Sequence, residues 1–151
     1  MNIKKKLLQL FIFVYAILQI YIIIKPRPKN IKHEFNAPRE VTEILERACY
    51  DCHSNRTKLP VYGYIVPINF LLEYHVNEGK EELNFSNWEE LTLKKQNIKA
   101  TAIKEEIESG EMPPNYYTII HKEAVLNSKE KIILSEWVKS VESKYEESDS
   151  N

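Results

Sequence analysis

The apolar and polar positions divide this chain into one unbroken apolar run and several shorter periodic segments. The run is Leu7 to Ile24, eighteen residues without a charge, preceded by Lys4, Lys5 and Lys6 and closed by Lys25-Pro26-Arg27-Pro28. At the helical rise it measures about 27 Å, enough to cross a thin or slightly compressed hydrocarbon layer. A cleavable export signal has a shorter apolar region that ends in small residues. Here the run ends Ile22-Ile23-Ile24 with no A-x-A pattern. The sequence therefore predicts an uncleaved anchor over residues 1–25, with residues 7–24 in the lipid bilayer. Residues 26–35 are basic, contain prolines and lack periodicity, which reads as a stiff linker with His33 as a solvated surface residue.

From Asn36 onward the period is helical. A first domain helix starts around Asn36 to Pro38, with an Asn cap and a Pro in the first turn, and buries Val41, Ile44, Leu45 and Ala48. Pro60, Gly63 and Pro67 keep the next stretch irregular, yet Val61, Tyr62, Tyr64, Ile65 and Val66 are too apolar for an ordinary exposed loop. They are expected to wall an interior site. A second helix follows from about Pro67 to Asn77, with Gly79 as its C′ glycine. A third opens at Ser86, with Glu89 completing a capping box, and carries Trp88, Leu91, Ile98, Ala102, Ile103 and Ile107 as far as Gly110. The last begins at Asn127 or Ser128 and buries Leu126, Ile133, Leu134, Trp137, Val138 and Val141. No segment beyond residue 60 alternates with period two for long enough to form a sheet, so the fold class is all-α. The domain spans 36–143, and residues 144–151 read as an acidic, disordered end.

The 151 residues allow one domain of modest core. The net charge of −1 hides an asymmetry: the amino-terminal segment carries most of the unbalanced positive charge, so the globular part is acidic. Nothing in that balance suggests nucleic-acid binding.

The candidate chemistry lies in Cys49-Tyr50-Asp51-Cys52-His53, a CxxCH motif of the kind that holds a c-type haem. Two thiols three residues apart share one side of a helical turn, where each meets one vinyl group of the same porphyrin. His53 then falls beneath the ring as the proximal iron ligand. A structural zinc site needs four ligands, and the chain has two cysteines and no H-x₃₋₅-H pair among His33, His53, His75 and His121. A thioredoxin-like dithiol follows a strand, whereas the residues before Cys49 read as a helix. A chance pentapeptide and a small structural disulfide are the remaining alternatives. For the second iron ligand the candidate is Met112, in a loop fixed by Pro113 and Pro114, with His75 and His121 as rivals and an open sixth site as a further possibility.

The order of these motifs resembles class I cytochromes c: a helix ending in CxxCH, a methionine 59 residues after the histidine, and a closing amphipathic helix. More specifically, the chain is similar to the bacterial haem-binding domain family of small, membrane-anchored, single-haem proteins. The similarity rests on Cys49 to Asn55 with Thr57 and Pro60, then His75-Val76, Gly79 and Leu83 to Ser86 with Trp88. A third block is Met112-Pro113-Pro114 with Tyr117, His121, Glu123-Ala124, Leu126 and Trp137. Phe70 stands where the family leads one to expect tryptophan, and Asn127 enters the loop before the last helix.

The resemblance implies a cytochrome c-like helical domain around one covalent haem, behind a single transmembrane helix, with no established reaction class. Two function classes stay open. An electron carrier would use His/Met-ligated iron beside redox partner proteins at the membrane. A haem enzyme or sensor would need a labile sixth site, with His75, His121 or Arg56 as the assisting polar group. Basic residues flank both ends of the apolar run, so charge alone leaves orientation open. Haem attachment outside the bacterial cytoplasmic membrane, a property of c-type cytochromes, implies that the domain is extracytoplasmic.

Overall fold

The computed structural model of the chain describes residues 2–26 and 35–150; most of the linker, His33 included, lies outside them. Seven α-helices follow in order: α1 (Ile3–Ile24), α2 (Arg39–Ala48), α3 (Tyr50–His53), α4 (Ile68–Glu82), α5 (Leu93–Ser109), α6 (Asn115–Thr118) and α7 (Ser128–Asp149). Short 3-10 turns at Val61–Tyr64, Phe85–Glu90 and Lys122–Ala124 connect them, and no strand occurs among the described residues. The all-α reading holds.

The core forms where α2, α5 and α7 meet the 3-10 turn at 85–90. Val41 and Leu45 from α2, Ala100 from α5, and Leu134, Trp137 and Val138 from α7 are buried there with Phe85 and Trp88. Phe35 stands edge-on to Phe85, Trp88 and Trp137 with ring centroids 5.4, 5.8 and 5.7 Å away. Burying a side chain of this size is worth about 1.5–3 kcal/mol. Two buried polar side chains bond to the main chain: Gln96 donates to the Trp88 carbonyl at 2.9 Å, and Ser54 to the Tyr50 carbonyl at 2.7 Å.

Several boundaries differ from the sequence reading. Pro38, not Asn36, precedes α2, and no side chain caps it. Ser86 opens only a 3-10 turn; α5 begins at Leu93, where the Thr92 hydroxyl accepts from the Lys95 amide. Gly79 lies inside α4, which continues to Glu82. At the two remaining ends the signals read correctly: Gly110 closes α5 at φ +81°, and Asn127 with Glu130 forms a capping box at the start of α7. That helix runs on to Asp149, so residues 144–149 are its last turns rather than a disordered end.

The largest difference concerns residues 61–66. They do not wall the interior: Val61 is 84% exposed, Tyr64 and Ile65 are partly open, and of the six only Gly63 and Val66 are buried. Their partner is the end of α1. Gln19 donates from Nε2 to the Tyr64 carbonyl at 2.6 Å and accepts at Oε1 from the Val66 amide at 3.1 Å. Lys25 pairs with Glu73 of α4 at 2.9 Å, and Ile22 is buried in this contact. The rest of α1 exposes its apolar side chains, and its length and composition are those of a membrane-crossing helix.

Candidate functional site

The amphipathic face of α2 docks the chain into the core and so fixes where the next five residues emerge. Cys49 breaks the helix for one residue (φ −127°), but its amide still donates to Leu45 and the His53 amide to Cys49, both at 2.9 Å. The motif is therefore a nearly continuous extension of α2. Tyr50 points away into the core and stacks on Phe85 at 5.4 Å. Asp51 accepts from the Lys58 amide at 3.0 Å and from the Tyr117 hydroxyl at 2.9 Å, which ties the motif to the loop after Met112.

Cys49, Cys52 and His53 line one cavity of about 580 Å³, within the size range of cofactor sites. Its apolar walls include Leu83, Phe85, Ala102, Ile103, Ile107 and Leu126, and Met112 with Pro113 and Pro114 contributes a further part of the lining. Lys99, Asp51 and several glutamates, among them Glu78 and Glu106, are its charged groups.

His53 is oriented from behind. Its Nδ1–H donates to the Gly79 carbonyl at 2.8 Å and to the Leu83 carbonyl at 3.1 Å. Because carbonyls only accept, the neutral ring carries its proton on Nδ1 and leaves Nε2 as the lone-pair nitrogen. The contact needs α4 close to the motif, and Gly79 permits it: a Cβ there would lie 2.9 Å from the Cys52 carbonyl oxygen. The sequence signal for Gly79 was its isolation inside a helical segment, where close packing is the alternative to a cap.

Burial pushes the Cys49 thiol up to about 12 and the Cys52 thiol to about 11, helped by the negative charge each would face on Cys52 and Asp51 respectively. Thiols so raised carry little thiolate at neutral pH, which disulfide exchange requires.

The three candidate distal residues separate. Met112 and His75 both line the cavity. His75 lies near Glu78 at 3.8 Å and its ring is 5.4 Å from that of Tyr116. His121 is not part of the lining: its Nδ1 donates to Glu123 at 3.1 Å, and its Nε2 accepts from the Tyr62 hydroxyl at 2.6 Å. Arg56 pairs with Glu46 at 2.5 Å and lies over the Tyr50 ring, also away from the cavity.

A largely apolar slot lined by an imidazole and a thioether, with two thiols beside them, offers a surface and donor atoms that suit an iron porphyrin. The class is thus an all-helical domain that binds haem. The chain belongs to the Haem-binding domain family, whose model matches residues 13–140. It is also 22% identical over 126 residues to the cytochrome c peroxidase of Escherichia coli (strain K12). That match covers 79% of this chain and 27% of the peroxidase, so the chain spans little more than a quarter of that relative's length. No solved structure matches the chain.

Proposed function

We propose that this protein is a membrane-anchored electron carrier with one covalently held haem, and that Cys49, Cys52, His53 and Met112 bind it. The convergence of these four side chains on a single apolar cavity, with His53 already held in the ligating tautomer, carries this reading. Cys49 and Cys52 would hold the group as thioethers, each S–H adding across one vinyl group with no atom lost and no oxidant consumed. His53 would bind the iron through Nε2, and Met112 would bind it through sulfur. Bound haem contributes one-electron chemistry at its iron, and a methionine ligand raises the potential relative to a second histidine. With α1 in the cytoplasmic membrane, amino terminus inside, the domain meets redox partner proteins on the outer side.

The test is Met112→Ala in haem-loaded protein. The oxidised parent is expected to show the far-red charge-transfer band of iron(III)–methionine ligation; the variant should lose it, fall in potential and bind carbon monoxide when reduced. A parent that lacks the band and binds carbon monoxide readily would overturn the carrier reading. The similarity to a peroxidase favours that second reading, a haem enzyme with an open or labile site in which His75 is the polar group at hand.

A further inference from the structure

Residues Leu59–Leu72 form a second uncharged run, fourteen residues bounded by Lys58 and Glu73. A run of this length is too short to cross a bilayer and suits a core or interfacial segment. It is not a core segment, since Val61 is 84% and Leu71 60% exposed, and Ile65, Ile68 and Phe70 are also open.

We propose that this segment is a wedge seated in the outer layer of the bilayer beside α1, with lipid covering Val61, Ile65, Ile68 and Leu71. The inference rests on the reading of α1 as a membrane span, and depth carries it. The eighteen-residue run of α1 is barely long enough to cross, so no part of it can be lifted into water. Tyr15 and Gln19, which hold the segment, lie nine and five residues before Ile24, about 14 and 8 Å along the axis from its outer end. Whatever packs on them enters the bilayer too.

The main chain is arranged for such a place. Lipid offers no hydrogen bonds, so non-helical backbone at membrane depth must be satisfied by protein. Five successive carbonyls accept from protein donors: Gly63 from Asn69 Nδ2, Tyr64 from Gln19, Ile65 from the Asn69 amide, Val66 from the Tyr15 hydroxyl, and Pro67 from the Phe70 amide. The Val66 amide donates to Gln19, and Pro67 has no amide hydrogen to place. Charge reappears at Glu73, which meets Lys25 where α1 ends.

The test places the photo-crosslinker p-benzoylphenylalanine at Val61, Leu71, Ile12 or Ile132 of the full-length, haem-loaded protein. Each variant is reconstituted in vesicles of dioleoyl phosphatidylcholine and phosphatidylglycerol, and its haem absorption is compared with the parent's to show an intact domain. After irradiation, positions 61, 71 and 12 should gain the mass of one phospholipid, and exposed position 132 on α7 should not. An adduct at 12 with none at 61 and 71 overturns the wedge and leaves the anchor standing. Adducts at 61 and 71 with a second protein chain overturn it in favour of a protein partner. No adduct at 12 overturns the anchor and the wedge together.

Discussion

Gly79 decides how closely α4 approaches the thiol-bearing turn, and its substitution gives a result of informative sign. In a free helix Gly→Ala stabilises by about 1 kcal/mol. Here the new Cβ would meet backbone, 2.9 Å from the Cys52 oxygen and 3.2 Å from its Cβ. Gly79→Ala should therefore lower the melting temperature and the haem content of purified protein; a rise in melting temperature would mean that α4 has slack to move. At this scale Cys49, Cys52 and His53, which share one cavity with Met112, stood out in the sequence because their motif is short and closely spaced. The backbone contact at Gly79 did not, since a glycine inside a helical segment looks the same whether it ends the helix or admits a neighbour. The pairing of His121 with Tyr62 and Glu123 was hidden for a related reason, as it depends on where an irregular loop brings residues 59 positions apart.

Among the elements, α5 lines the cavity and α7 packs behind it; α7 follows its apolar stripe, whereas α5 buries Gln96 and leaves Ile98 56% exposed. Ile103 and Ile107 of α5 serve two faces, touching the core and lining the cavity. Trp137→Ala should cost about 3–5 kcal/mol in denaturant unfolding, through the cavity left among Phe35, Trp88 and Leu134. Gly110 tests the loop that carries Met112. It has open space around a Cβ but sits at φ +81°, so Gly110→Ala should cost only the left-handed backbone penalty of about 1–2 kcal/mol. A larger loss would point to a tertiary role the geometry does not contain. Helix ends were read best where a side chain caps them, as at Asn127, and worst at residues 85–92, where a 3-10 turn mimics the first turn of a helix.

For the molecule as a whole, the expectation is that membranes washed with carbonate retain the full-length protein. Release of a chain with a new amino terminus near residue 25 would identify the apolar run as an export signal instead. The division into an apolar helix and a helical domain was legible from charge and periodicity alone. The association of residues 61–66 with α1 was not, because an apolar segment is equally suited to any dry surface and the sequence does not say which one is nearest. The element that joins the two parts is α4, with Glu73 facing Lys25 near one end and the carbonyls of Gly79 and Leu83 facing His53 at the other. The last four carbonyls of any helix lack partners within it. The Gly79 carbonyl takes one donor from the Leu83 amide just past the helix, and His53, the proposed iron ligand, adds a second donor there and one to the Leu83 carbonyl, fastening the end of α4. Loss of haem in a His53 variant would accordingly combine a missing ligand with a frayed helix, and measuring the cofactor-free variant's unfolding free energy alongside its haem content would separate the two.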